Sequence, residues 1–277
     1  MELTLSRQVD MAAPVLDLGC GDGLFSLLLF ADSIDPDFDD CKFYKQRYDR
    51  RAFVFSRYVD AGVDVNQRCV TQAASLGFYK QLSVADARNM PYPDSTFRTV
   101  LSNCVIEHIK NLDQVLSEVG RVLKRGGKFI FTVPSDTFGN HLLLPFICRA
   151  LRSTALAERF VLRANRRLQH YHILSPQEWR QRLHDAGLRL VRYQYFLSNP
   201  AAYLWDVLFS LADLGYEKFT VGAALRQIAY LMDSVYVKSY KRLCLAIMNP
   251  LLNTVYYLDD VRTAQGAGLF LTALKGK

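Results

Sequence analysis

The chain reads as an α/β protein: a mostly parallel sheet of seven strands, helices on both faces, and a helical insertion before the last strand. Three observations lead there. First, the β-prone run Val15-Leu16-Asp17-Leu18 passes through alternate glycines at Gly19, Gly21 and Gly23 into an apolar stretch ending at Phe30. That order spells strand, tight turn and helix start. Second, strand-like and helix-like segments alternate with short turns from Val59 to Val133, the pattern of parallel strands joined by right-handed crossovers. Third, Leu112, Val115, Leu116, Val119, Val122 and Leu123 recur at helical spacing just before a β-rich run, so one clear amphipathic helix sits where a crossover requires it.

Each element follows from local chemistry. Val15–Leu18 is the first strand, and residues 23–30 form the first helix. Residues 31–57 are rich in Asp, Arg and aromatics without a clean period, and read as an insertion loop. Val59–Asp64 is the second strand, residues 66–76 a helix, and Gln81–Ala85 the third strand. Pro91 and Pro93 mark a turn before the fourth strand, Phe97–Ser102. Gly126-Gly127 is expected to stop the amphipathic helix, and Pro134 to end the fifth strand, Phe129–Val133. Ser175, Pro176 and Glu178 form a capping box with proline at the first helical position, and Gly187 closes that helix. Leu188–Phe196 and Gly268–Leu274 complete the sheet. Between those two strands, residues 201–265 are apolar, aromatic and helical in pattern, with a second helix over 223–248. Asp206, Ser210 and Asp213 draw a narrow polar stripe along the first of these helices. The expected organisation is a core over 1–200 carrying the 31–57 loop, a helical cap over 201–265, and a last core strand in 266–277.

Bulk properties bound the function. With 277 residues, half of them hydrophobic, the chain can bury one large core with an insertion. The six cysteines are scattered, with no C-x-x-C pair and no metal spacing. No metal site is expected, and reduced thiols are. The N-terminal stretch is charged and unlike a signal peptide, and no run reaches the ~20 uncharged apolar residues of a membrane span. The expectation is a cytoplasmic protein, at most peripheral to a membrane. Its net charge of +7 is uneven: ten arginines between Arg149 and Arg192 face only Glu158, Glu178 and Asp185. That stretch reads as a solvated helical face, or as a surface for an anionic substrate, an anionic membrane or RNA.

The glycine turn narrows the ligand. A pyrophosphate-binding turn spaces its glycines G-x-G-x-x-G, whereas here the third glycine comes one residue early and Leu24 holds the dinucleotide position. Asp17, two residues before Gly19, would repel a phosphate and suits a cation. In an open α/β sheet, ligands bind at the carboxyl ends of the strands where strand order reverses. Asp17 with Gly19, Asp64, Asp86 and Asn103 stand at four such ends.

The D-x-G-x-G-x-G pattern of Asp17 to Gly23 resembles motif I of class I S-adenosylmethionine (SAM) dependent methyltransferases, which have a Rossmann-like fold. The resemblance runs from about Val15 to Ser135. It includes Val84-Ala85-Asp86-Ala87-Arg88-Asn89-Met90-Pro91-Tyr92, Ser102-Asn103-Cys104-Val105-Ile106-Glu107-His108-Ile109 and Val122-Leu123-Lys124-Arg125-Gly126-Gly127-Lys128-Phe129, similar to segments of the small-molecule members. It implies an antiparallel last strand and SAM as the cofactor. Asp17, Gly19 and Gly21 would line its methionine part, with Cys20 in the same cofactor pocket, Asp64 the ribose, and Asp86 with Ala87 the adenine, with Asn103 at the fourth strand end. Asp35, in the insertion, is a rival for the ribose, but Asp64 fits the crossover length to Asp86 better. Two departures stand out: Phe97-Arg98 replaces the family's usual Phe-Asp, and only about a dozen residues precede motif I, too few for the family's covering helix.

Methyl transfer needs mostly alignment, and a general base only for a hydroxyl acceptor. His108 and His170 are the candidate catalytic residues, with Glu107 and His172 beside them. Asn103-Cys104-Val105-Ile106 stands where base-amino methyltransferases carry Asn-Pro-Pro-Tyr. The acceptor expected is a small molecule, a glycan or a lipid-linked intermediate, methylated at oxygen. An RNA methyltransferase and a catalytically inactive SAM-fold partner subunit stay open as alternatives, as do peripheral membrane contact and a homodimer.

Overall fold

A computed structural model describes residues 2–34, 53–212, 215–216, 219–220 and 264–276. Seven strands form one sheet: β1 (Val15–Leu18), β2 (Val59–Asp64), β3 (Tyr79–Val84), β4 (Phe97–Asn103), β5 (Leu123–Pro134), β6 (Leu188–Phe196) and β7 (Gly268–Lys275). Their order is β3-β2-β1-β4-β5-β7-β6. The five strands from β1 to β5 pair in parallel, and β7 lies antiparallel on β5 with Leu271 opposite Phe131. The strand order reverses between β1 and β4, so a crevice opens at their carboxyl ends.

Helices α1 (Glu2–Arg7), α2 (Leu24–Phe30), α3 (Gln67–Leu76) and α4 (Leu112–Val122) belong with this sheet. The apolar stripe of α4 is wholly inside: Leu112, Val115, Leu116, Val119 and Val122 are buried. The helix α7 (Pro176–Asp185), which carries the capping box, buries Trp179 and Leu183. Trp179 meets the edge of Phe131 at a centroid distance of 5.1 Å, and Phe131 stacks on Phe129 at 4.4 Å. Buried aromatics of this kind supply a large share of a core's stability. Among the residues before β1, α1 buries Leu5, and Arg7 donates to the Leu28 carbonyl at 2.6 Å.

Gly126-Gly127 does not stop a helix. The helix α4 ends at Val122, and β5 begins at once with Leu123. The glycines sit inside the strand, where the pairing shifts from Phe97↔Leu123 to Thr99↔Lys128. Gly126 takes φ +71°, so the extra residues bulge out of the ladder there. The third strand starts at Tyr79 rather than Gln81, which gives Tyr79 a role below.

The chain divides into two compact units. The first comprises Met1–Asp136, Asn165–Tyr195 and Gly268–Lys277, and the second Thr137–Ala164 with Phe196–Ala267. The sequence boundary at residue 200 therefore leaves 137–164 on the other side. The second unit contains α5 (Leu143–Ala150), most of α6 (Thr154–Leu168) and α8 (Asn199–Ala212), the first two of which have no sequence forecast. Asp206 of α8 does not face solvent. It is buried, and its carboxylate accepts from the Leu143 backbone N–H at 3.0 Å, so a residue from another helix caps the start of α5. The side chains of Ser210 and Asp213, the 223–248 helix and Asp35 lie outside the described residues. Of the 31–57 insertion, Ser33–Ile34 and Phe53–Val54 pair as a short antiparallel ladder.

Candidate cofactor site

The crevice holds a cavity of about 600 Å³, within the range of small-molecule and cofactor sites. Four strand ends supply its walls: Leu18 and Gly19 at the end of β1, Val63 to Val65 at the end of β2, Ala85 to Arg88 after β3, and Asn103 to Val105 at the end of β4. His108, Ile109 and Lys110 close the rim. Strand register makes this convergence unavoidable. Leu18 stands opposite Val63, Asp64 opposite Val84, and Asn103 opposite Thr132, so the turns after these strands meet at one level.

Gly19 is where β1 must give way to the turn. Its φ is +73°, and a Cβ there would lie 2.4 Å from Val105. Its N–H and that of Cys20 both donate to the Val63 carbonyl, at 2.8 and 3.0 Å, which ties the turn to β2. Asp64 completes the tie: Oδ2 accepts from the Gly21 N–H at 3.0 Å and Oδ1 from the Asn66 N–H at 2.8 Å. A carboxylate offers about four acceptor positions, so each oxygen keeps capacity for a ligand hydroxyl. Asn103 is anchored by Thr132, whose hydroxyl donates to Oδ1 at 2.7 Å.

Asp17 does not line the cavity. It is 4% exposed and accepts from the Ser26 and Tyr79 hydroxyls, both at 2.5 Å. Burial raises its pKa to about 6, against the lowering effect of those two hydrogen bonds. The acid of the motif thus holds α2 and β3 beneath the glycine turn, a task that no spacing argument assigns and that depends on Tyr79 arriving from β3. Cys20 and Gly21 also lie off the cavity wall; Cys20 is buried, and burial pushes its thiol well above the usual range. Asp86 lines the wall, but its carboxylate is engaged by the Arg88 guanidinium at 2.6 Å, which holds its pKa below the usual carboxylate value. A ligand amino group must share that carboxylate with Arg88. Lys110 and Arg88, two cations on the rim, are additions that the motifs do not single out.

His108 lies on the wall and His170 does not; their rings are 5.6 Å apart. His108 Nδ1 is 3.2 Å from the Gln169 carbonyl. A carbonyl only accepts, so Nδ1 carries the proton and Nε2 is the basic nitrogen of the neutral ring. That Nε2 is 3.7 Å from Glu107 Oε1. Glu107 is 1% exposed, its Oε2 has no partner among the described residues, and burial raises its pKa to about 8. His170 is held neutral: burial, then the neighbouring His108, lowers its pKa to about 4. His172 Nε2 donates to the Ile109 carbonyl at 2.9 Å, and the Tyr171 N–H to the Glu107 carbonyl at 2.9 Å. The His-x-His segment is therefore a clasp that laces residues 169–172 onto residues 107–110, beside the cavity rather than in it.

The wall suits a ligand of mixed character. It offers carboxylates for hydroxyl or cationic groups, apolar side chains from Leu18, Val63 and Ile109, and a turn with no side chain at Gly19. SAM fits this chemistry, being a cation with a ribose diol and an adenine and carrying no phosphate.

Comparison with known proteins agrees. A methyltransferase-domain family model matches residues 4–193. A demethylmenaquinone methyltransferase of Symbiobacterium thermophilum is 26% identical over 202 residues, covering 68% of this chain and 73% of that protein. The mitochondrial 2-methoxy-6-polyprenyl-1,4-benzoquinol methylase of Pongo abelii is 24% identical over 129 residues, covering 43% of this chain and 38% of that protein. A solved SAM-dependent methyltransferase of Thermotoga maritima superposes with a TM-score of 0.51 at 13% identity, covering 99% of this chain and 87% of that one. With its family model, its sheet order and its crevice in agreement, the chain belongs to the methyltransferase-domain family and is a class I enzyme that uses S-adenosylmethionine as its methyl donor.

Proposed function

We propose that this enzyme methylates a hydroxyl oxygen of a small apolar acceptor, of lipid-linked type, with SAM seated in the β1–β4 crevice. In this reading Gly19 and the backbone of its turn face the methionine part, Asp64 accepts from the ribose diol, and Asp86 with the Ala87 N–H meets the adenine. Asn103 stands beside the sulfonium end. Asp17, Cys20 and Gly21 act through the turn, as supports for its shape.

The observation that carries the oxygen reading is His108. It shares a cavity with Asp64 and Asp86, and its Nδ1 bond to Gln169 leaves Nε2 as the lone pair available to a proton. Bound SAM supplies an electrophilic methyl on a sulfonium. His108 takes the acceptor's hydroxyl proton at Nε2 as the oxygen bonds to the methyl and the methyl's bond to the sulfonium sulfur breaks. The clasp from residues 169–172 holds the imidazole at one orientation. Holding reactants in register can supply roughly 7–11 kcal/mol of a transfer barrier, and a placed base roughly a further 10²–10⁴-fold. The lipid-linked reading takes its support from the two quinone-modifying relatives, one of which acts on a polyprenyl substrate by name. It brings with it an enzyme that works at a membrane surface, although no helix of the described residues is long and apolar enough to cross one.

Isotopically labelled SAM incubated with the protein and a total lipid extract, read by mass spectrometry, identifies the acceptor. The expected product is a methyl ether on an isoprenoid-bearing hydroxyaromatic compound. Label on carbon, on nitrogen or only in water-soluble products would overturn the reading. With the acceptor in hand, His108→Gln is expected to lower kcat about 10²–10⁴-fold with SAM affinity by calorimetry unchanged.

A further inference from the structure

The second unit presents a surface that methyl transfer does not use. On α5, Leu144, Ile147 and the following Leu151 fall at i, i+3 and i+7, one stripe of a helix, and all three are exposed, Leu151 by 75%. Phe146, on another side of the helix, is also half exposed, with its ring 5.3 Å from that of Tyr203. On α6, Leu156 and Leu162 are exposed on the side that carries Arg159 and Arg163. From Arg149 to Arg167 the chain has six arginines and a single acid, Glu158. The buried side of α6 is marked by Ala157 and Ala164, so the arginines and leucines point outward because the small residues turn inward. Isolated exposed apolar residues are ordinary, but a contiguous set marks a contact surface.

We infer that the α5–α6 surface docks on an anionic lipid bilayer, its apolar side chains entering the headgroup boundary while Arg152, Arg159 and Arg163 pair with lipid phosphates. Charge complementarity selects the class of partner. Large apolar side chains interleaved with arginine describe an interfacial helix, which buries the first among acyl chains and pairs the second with phosphate. An RNA backbone would use the arginines and leave Leu144, Ile147 and Leu151 in water. The inference rests on the lipid-linked reading only for the reason to visit a membrane; the surface itself is independent of the acceptor.

The test needs neither SAM nor acceptor. The full-length protein is floated with vesicles of 30% phosphatidylglycerol in phosphatidylcholine, and with pure phosphatidylcholine vesicles, at about 0.1 M salt. Binding to the first set alone is expected, weakening as salt screens the charge. Arg159→Gln with Arg163→Gln should weaken it about 10–30-fold, since each surface arginine contributes about a factor of five. Leu151→Ser with Ile147→Ser should weaken it without removing its salt dependence. No flotation with either vesicle, equal flotation with both, or wild-type binding by the arginine variant would overturn the inference. Retention of structured RNA in place of vesicles would overturn it equally. Calorimetry with SAM on the same variants separates the two proposals: unchanged cofactor affinity with lost flotation assigns the surface and leaves the methyl-transfer reading untouched, whereas failure of labelled transfer leaves the flotation result standing.

Discussion

The crevice and the α5–α6 surface both depend on charge, and they hold it in opposite ways. The two carboxylates on the crevice wall are fixed by named donors, Asp64 by Gly21 and Asn66 and Asp86 by Arg88, and Asp17 beneath the glycine turn is fixed by Ser26 and Tyr79. On α6, Arg159 and Arg163 stand on an exposed helix face. Fixed acids can set the position of one small ligand to within a fraction of an ångström. Exposed arginines set no position, but they attract any anionic surface over a distance of about 10 Å in 0.1 M salt. A methyl transfer requires the first arrangement, and a search for an insoluble substrate is served by the second.

The comparison can be broken most forcefully at Gly19. Gly19→Ala adds a Cβ 2.4 Å from Val105 at φ +73°, and is expected to cost roughly 2–5 kcal/mol by left-handed strain plus overpacking. Urea denaturation reads the loss, and calorimetry should show SAM binding abolished or nearly so; wild-type stability would mean that the turn tolerates a side chain.

Asp17 sharpens the contrast between a supporting acid and a ligand-facing one. Its folded pKa, raised from 3.8 to about 6, means that the folded state holds its proton more tightly than the unfolded chain. Its contribution is therefore fully present below pH 3.8 and lost as pH rises to about 6. Relative to Asp17→Asn, which does not titrate, the wild type should lose about 3 kcal/mol across that interval. Parallel stability curves for the two proteins would show that Asp17 titrates as an exposed acid does.

Asp64→Ala should weaken SAM binding by about 1.5–3 kcal/mol, or roughly ten- to hundred-fold. Unchanged affinity by calorimetry would move the ribose elsewhere. The smallest effect belongs to the second unit. Asp206→Ala removes the acceptor at the start of α5 and should lower stability by about 1 kcal/mol, read by denaturation. A much larger loss would mean that the α5–α6 surface is as rigidly held as the crevice.

Legibility followed the range of the interactions. The strands and the helix α4 could be read because period, glycine and capping box are local signals. Gly19, Asp64, Asp86, Ala87 and Asn103 share one cavity because each stands at or just past a strand end, and parallel pairing brings those ends together; His108 reaches the wall from the short helical turn Ile106–His108. That Asp17 is engaged by side chains and lies off the cavity wall was not legible: its partner Tyr79 lies 62 positions away, and nothing near Asp17 announces it. The sequence offers His170 as a catalytic candidate with no position relative to His108; the structure puts its ring 5.6 Å from His108 and off the cavity wall, because the clasp forms through backbone carbonyls that carry no sequence signal. Gly126-Gly127 carried a true punctuation signal with two readings, helix stop or strand bulge, and only the pairing partner Phe97 separates them. The helices α5 and α6 went unread because their apolar residues are split between a buried side and an exposed side.

The amino-acid sequence alone determined the α/β class, the glycine turn, the four strand-end positions and the class of donor, because these rest on short-range backbone preference and on a spacing that few other ligands share. Tertiary structure alone decided which acids face the cavity and which are consumed as supports, which nitrogen of His108 is basic, and which side of α6 is left exposed. Those outcomes depend on side chains meeting across dozens of residues, and desolvation at the meeting point sets their charge.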